Sequence, residues 1–218
     1  MVGSCGRLGA ITEVTFKVFP ESTSYRSYRI DTESHQSALA TIASLARGRW
    51  ELDAIDYCHR DRSIWIRIGG TDDACEAIAK DIQLTLGAPS LTSIESTESD
   101  QFWSAINRLR FGTNEDDLIA KVPTDHGSAL LIAVWCDTTS GRSSLHISVA
   151  GALGWLAFTK ETLPEVDALL TRLDRPGMLV RGGAPDRMMF IGRRNNNPID
   201  VAVKNAMDPP GRFPSIEN

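Results

Sequence analysis

Ser63-Ile64-Trp65-Ile66-Arg67-Ile68-Gly69 alternates strictly, and from Thr71-Asp72-Asp73-Ala74 onward the rhythm changes. Successive side chains of a strand point to opposite faces, so Ile64, Ile66 and Ile68 share one side, against Trp65 and Arg67. After Thr71 the apolar residues Ala74, Ile78 and Ile82 recur at helical spacing. Thr71 suits an N-cap, Asp72 and Asp73 suit the positive end of the helix dipole, and Gly87 suits the stop. The stretch therefore predicts a strand with one apolar face, followed at once by a helix with one apolar stripe.

Working outward, Asp53–Cys58 and Ser63–Gly69 predict a hairpin through His59-Arg60-Asp61-Arg62. Upstream, Glu13–Phe19 alternates, with Val14, Phe16 and Val18 on one side, and predicts a strand stopped by Pro20. Ser24–Ile30 predicts another strand, and Thr32–Arg47 a helix with Ala38, Ile42 and Leu45 on one stripe. Downstream, Ala88–Glu98 predicts a loop holding a short strand at Leu91–Glu95. Ser99 is the expected cap of a helix carrying Phe102, Ile106 and Leu109.

The second half repeats the order. Asp117–Val122 predicts a strand, Thr124–Cys136 a helix, and Ser143–Val149 and Leu153–Phe158 two strands around Gly151. Thr162-Leu163-Pro164-Glu165 has the form of a capping box with Pro in the first turn. A helix with Val166, Leu169, Leu170 and Leu173 follows, then a strand at Gly177–Gly182. Asn197-Pro198 opens a last helix, and Asp208-Pro209-Pro210-Gly211 stops it. The predicted class is α+β: duplicated ferredoxin-like (split βαβ) units forming a large antiparallel sheet with helices on one face.

The 218 residues are 42% apolar and 23% charged, which suits one or two domains with a real core and excludes disorder for most of the length. The net charge of −5 argues against general nucleic-acid binding. The apolar run Leu130–Cys136 is far short of the about 20 residues of a membrane span. No basic segment followed by an apolar stretch opens the sequence, so no signal peptide is expected. Charge is uneven: Arg175 to Arg212 carries +4 and the rest −9. That stretch reads either as a solvated basic surface or as a field that attracts a small anion.

Cys5, Cys58, Cys75 and Cys136 are scattered, and His35, His59, His126 and His146 do not cluster in the sequence. The spacing predicts no zinc or iron–sulfur site. Cys58 and His59, as strand neighbours, are expected on opposite faces. Thiols scattered in this way suit a reducing cytoplasm.

Gly3-Ser4-Cys5-Gly6-Arg7-Leu8-Gly9 places glycine at every third position. On its own this reads as a glycine-rich turn, since a dinucleotide fingerprint needs a strand before it and a helix after. Continued through Ala10-Ile11-Thr12-Glu13, the segment resembles the end of the FAD-binding domain in flavoproteins of the vanillyl-alcohol-oxidase type. The pattern there is G-S-x-G-x-L-G-[VI]-[IL]-T-E. Lys204-Asn205-Ala206-Met207-Asp208-Pro209-Pro210-Gly211-Arg212-Phe213 resembles the tail signature of the same family, K-x-x-x-D-P-x-G-x-F. Phe102-Trp103 and Gly151-Ala152-Leu153-Gly154-Trp155-Leu156 resemble its internal landmarks, and within the family the FAD-binding subunits of glycolate oxidases are most similar.

The resemblance implies a cofactor, FAD, met by Gly3, Ser4, Gly6, Gly9, Ile11 and Thr12. It also implies a cap whose antiparallel sheet closes over the isoalloxazine ring and helps hold a 2-hydroxy acid such as glycolate. Expected partners are a second flavoprotein subunit and an iron–sulfur subunit, in the cytoplasm or peripheral to the inner membrane through those partners. The expected layout is 1–20 as the end of the FAD-binding domain, 21–197 as the cap and 198–218 as a helix and tail returning to the FAD domain. The family's pyrophosphate loop lies upstream of the glycine-rich signature, so the expectation is a truncated cap, inactive alone.

Related metal-using dehydrogenases carry an H-x-H pair in the cap; this sequence has none, and no metal is expected. Arg181, ending a strand in the basic stretch, is the candidate for the substrate carboxylate, ahead of Arg187, Arg193 and Arg194. Trp65 and Trp155 read as sheet packing, and no general base is evident: neither His126 nor His146 sits in a supporting motif. The alternative expectation is a stand-alone ferredoxin-like module that binds a small anion or a partner protein without catalysis.

Overall fold

A computed structural model describes residues 6–18, 20–87, 91–111, 114, 117–182, 189–193 and 198–215. Among the described residues nine strands form one sheet: β1 (Ser24–Asp31), β2 (Ala54–Cys58), β3 (Ser63–Gly70), β4 (Thr92–Ile94), β5 (Leu118–Pro123), β6 (Ser143–Ser148), β7 (Leu153–Phe158), β8 (Pro176–Arg181) and β9 (Phe190–Gly192). The described residues also form the helices α1 (His35–Ala46), α2 (Asp72–Leu86), α3 (Ser96–Asn107), α4 (His126–Thr138), α5 (Leu163–Arg172) and α6 (Pro198–Met207). The spatial order is β4-β1-β3-β2-β6-β7-β5-β8-β9, with every pairing antiparallel. The class is α+β, as expected.

Each half runs strand–helix–strand–strand–helix–strand, and the spatial orders correspond: β4-β1-β3-β2 in one, β8-β5-β7-β6 in the other. The halves meet where β2 pairs with β6, Tyr57 opposite Ile147 and Cys58 opposite His146. The register explains the core. Ile30 lies opposite Ile64 and Tyr28 opposite Ile66, so the alternation of both strands puts apolar side chains on one face. That face is covered by α1 and α2 in the first half and by α4 and α5 in the second, in one continuous core. Ala38, Leu39, Ile42 and Leu45 of α1 and Ala129, Ile132, Ala133 and Cys136 of α4 are all buried in it.

The caps are local. Ser34 and Ser37 make a reciprocal box at α1, Asp125 and Ser128 another at α4, and Thr71 accepts from Ala74 at α2. Gly87 ends α2 in the left-handed region at φ 68°, where a side chain would be strained.

One helix departs from the expected single layer. α3 lies on the reverse face, where Phe102 stacks on Trp65 at 3.7 Å between ring centres and Trp103 donates to Ser27 at 2.9 Å. Its cap differs too. The helix begins at Ser96 after Glu95, and the Ser99 hydroxyl is instead bonded to Ser27 at 2.7 Å, docking α3 on β1.

Two further expectations are corrected, and one unannounced strand is added. Residues 9–18 form no strand: Val14, Phe16 and Val18 are exposed, and no strand of the sheet offers them a backbone partner. Phe19, the end of that expected strand, lies outside the described residues. Thr162 makes no capping bond, because a 3₁₀ turn over Lys160–Thr162 runs straight into α5 and its hydroxyl pairs with Thr159. The three-residue β9 is too short to announce itself by periodicity, and it forms by pairing Phe190 opposite Met178.

Candidate functional site: the reverse face and the joined ends

Directly paired residues of antiparallel strands point to the same side. Following the register across the sheet, Cys58, His146, Trp155, Lys121, Met178 and Phe190 make one row on the reverse face. At the β9 end the Arg7 guanidinium lies over the Phe190 ring, 4.4 Å from its centre. The glycine-rich segment therefore lands on the same face as the row.

The other end of the chain arrives at the same place. Lys204 of α6 donates to the Arg7 carbonyl at 2.6 Å, to Asp208 Oδ2 at 2.6 Å and to the Phe213 carbonyl at 3.0 Å. Asp208 also accepts from the backbone N–H groups of Arg212 and Phe213. The Lys204 bond holds the Asp208 carboxyl well below its usual range, at about 2. One ammonium thus ties together two segments separated by nearly the whole sequence. The rest of α6 is open: none of its residues is buried, and Ile199, Val201, Val203 and Met207 face solvent. Ile11, Val14, Phe16 and Val18 are likewise exposed near the first end.

Of the residues nominated for FAD, Gly3 and Ser4 lie outside the described residues. Gly6 has φ 75°, and Gly9, Ile11 and Thr12 follow it in a partly to fully exposed, irregular segment. Arg181 is engaged elsewhere. It donates to the backbone carbonyls of Leu109, Asp117 and Asn114, tying the α3–β5 connection to β8. An incoming carboxylate would have to displace these bonds. Gly182 next to it has φ 90°, and a Cβ there would meet Leu118 at 2.3 Å. Arg193 pairs with Asp174 at 2.9 Å, while Arg187 and Arg194 lie outside the described residues.

At the seam, His146 Nε2 lies 2.7 Å from Asp56 Oδ2, with side chains 1% and 7% exposed. Cys58 Sγ is 3.6 Å from His146 Nδ1, and burial pushes its thiol pKa up, away from the reactive thiolate. Phe102 and Phe111 lie against His146. This group is closed off and fixes the seam. Beyond it the row opens: Lys121 and Trp155 are half-buried, with the ammonium 5.8 Å from the indole centre and Trp155 donating to Ser148 at 3.0 Å. His146 and Asp56 are ninety positions apart in sequence, and only the pairing of β2 with β6 joins them.

A second polar group lies on the helix side. His35 and His59, although far apart in the sequence, share the carboxylate of Asp137. His126 stands apart from it, as the first residue of α4.

Among the described residues no helix is long and apolar enough to cross a membrane. No family model matches the sequence. The glycolate oxidase subunit GlcE of Escherichia coli (strain K12) is similar to it, 35% identical over 80 residues. The match covers 35% of this chain and 21% of that subunit, so only about a fifth of the relative's length is represented.

Proposed function

We propose that this chain is a cap region of an FAD-dependent oxidoreductase acting on a short 2-hydroxy acid such as glycolate. The observation that carries the reading is the junction at Lys204. The two segments that resemble the family's FAD-domain signatures, around Gly6-Arg7-Leu8 and around Lys204 to Phe213, are joined by a direct hydrogen bond from Lys204 to the Arg7 carbonyl. The partial similarity to a glycolate oxidase subunit supports the same family-level relationship.

In this reading residues 1–20 and 198–218 belong to the FAD-domain side and 21–197 form the cap. The exposed apolar side chains of α6 and of residues 11–18 suit contact with the body of that domain. The residues fit FAD only as a rim. Gly6, Gly9, Ile11 and Thr12 offer an open backbone for close approach to the cofactor, which would supply hydride acceptance when bound. The open part of the reverse face, with Lys121, Ser148, Trp155 and Met178, would turn toward the flavin. Lys121 is its cation and could hold a carboxylate as a point charge. The proposed partners are the remaining subunits of such an oxidase.

The test uses protein expressed from its native locus, with whatever precedes Met1 retained. Its absorbance is recorded before and after adding glycolate and other short 2-hydroxy acids. Flavin bands that bleach on addition are expected. A preparation that carries no flavin, takes up none from added FAD and reduces no dye with any hydroxy acid overturns the reading.

A further inference from the structure

His35, His59 and Asp137 come from three separate elements. His35 opens α1, His59 follows β2 in the hairpin turn, and Asp137 stands in the last turn of α4. His35 Nε2 lies 2.9 Å from Asp137 Oδ2, and His59 Nε2 lies 3.0 Å from Asp137 Oδ1. The imidazoles stack at 5.0 Å with 18° between their planes, so their Nε2 atoms converge on one carboxylate. Both rings are buried, at 6% and 7% exposure, whereas Asp137 is 45% exposed. The group is therefore walled by protein and opens to solvent on the carboxylate side. One donor atom from each residue lies within 4.8 Å of the other two.

The far nitrogens carry the argument further. His35 Nδ1 lies 2.5 Å from the Tyr57 hydroxyl. Among the described residues His59 Nδ1 is buried without a hydrogen-bond partner, beside the Ala133 backbone. When the rings are neutral and no ion is bound, each Nε2 must carry the proton that it donates to Asp137. Each Nδ1 is then an acceptor. Tyr57 can donate to His35, but no described residue donates to His59 Nδ1, and an orphaned buried acceptor is costly.

Coordination through Nε2 reverses the tautomer. Nδ1–H of His35 then donates to the Tyr57 oxygen, and Nδ1–H of His59 faces the Ala133 backbone as a donor. Metal-bound histidines are held in this way by acceptors behind the ring.

We propose that His35 Nε2, His59 Nε2 and the Asp137 carboxylate bind one divalent transition-metal ion of the zinc class. Two imidazoles and one carboxylate are a borderline donor set, suited to zinc rather than to calcium or magnesium. Three protein ligands leave a fourth position for water on the exposed side. Arg62, whose guanidinium lies 3.8 Å from Asp137 Oδ2, competes for the same carboxylate and opposes the ion. The ion would join α1, α4 and the β2–β3 turn at the end of the helix layer. This inference stands on different residues from the proposed oxidoreductase function.

The test titrates untagged, chelator-stripped protein with Zn²⁺ against a chromophoric competitor, and dialysis gives the stoichiometry. One ion per chain is expected. His59→Gln and Asp137→Asn should each weaken binding by at least about tenfold, since even the loss of a group behind a ligand costs that much. Arg62→Ala, in an exposed turn, should keep the fold and tighten binding. Circular dichroism confirms that each variant is folded. Substoichiometric binding to the parent protein overturns the proposal. So does an affinity that is unchanged in both His59→Gln and Asp137→Asn, which would place the ion elsewhere, at the cysteines for example.

Discussion

Replacing Asp56 by Ala should be among the most damaging single changes outside the apolar core. The carboxylate is 7% exposed and lies 2.7 Å from His146 Nε2, which is itself 1% exposed beneath Phe102 and Phe111. The substitution removes a hydrogen bond to a charged group and leaves a buried ring nitrogen with no acceptor. Each of these effects is worth about 1–3 kcal/mol, and because they describe the same contact the expected loss is about 3 kcal/mol rather than their sum. Folded domains are stable by only about 5–15 kcal/mol, so this is a large fraction.

Urea unfolding followed by circular dichroism and tryptophan fluorescence should show a lower midpoint with an unchanged slope. Asp56→Ala combined with His146→Leu should be at least as stable as Asp56→Ala alone, because the orphaned group is gone and an apolar side chain replaces it. An Asp56→Ala protein within about 0.5 kcal/mol of the parent, the scatter of ordinary surface changes, would refute the claim that this pair fixes the seam.

Ile66 is fully buried in β3 beneath the helix layer, and Ile66→Ala should cost about 2–5 kcal/mol in the same urea experiment. His59 has its folded pKa lowered by burial, so below its ordinary value of 6.5 the unfolded chain takes up the proton first. Metal-free protein should therefore be fully stabilised at neutral pH and lose stability as pH falls from 6.5 to the folded pKa. His59→Gln should flatten that part of the pH profile of the melting temperature. Asp208 has the depressed pKa of a paired carboxylate, so its contribution is present above 3.8 and is lost as pH falls towards about 2. Limited proteolysis near Arg7 should accelerate over that window, and Lys204→Met should already show the faster cleavage at neutral pH.

Much of the fold is legible in local pattern. The alternation of Ile64, Ile66 and Ile68, the cap at Thr71 and the stop at Gly87 all read correctly, because each depends on residues within a few positions. The same logic misleads at Val14-Thr15-Phe16-Lys17-Val18. Alternation shows that a segment could be a strand, but a strand also needs a partner for its backbone, and that partner is not encoded nearby. Ser99 and Thr162 look like caps and are not, since their hydroxyls are taken by Ser27 and Thr159.

The chemistry divides along the same line. The glycine-rich segment and the Lys204-to-Phe213 tail are contiguous motifs, and the residues themselves suggest the flavoprotein resemblance. No sequence spacing announces that Lys204 bonds to Arg7, that Asp56 orients His146, or that His35 and His59 converge on Asp137. Arg181 illustrates the converse: a plausible anion binder by position is occupied by backbone carbonyls brought to it by the α3–β5 connection.

By itself, then, the sequence determined most of the strands and helices, which of their faces are apolar, and the family-like motifs at the two ends. The tertiary structure alone decided how the two halves join through β2 and β6 and which polar groups meet there. The physical reason is range. Periodicity and capping act over one or two turns of chain, whereas a buried hydrogen bond or a set of ligand atoms requires side chains from distant segments to be placed within about 3 Å of each other. Only the packing of the helix layer on a closed register of strands does that.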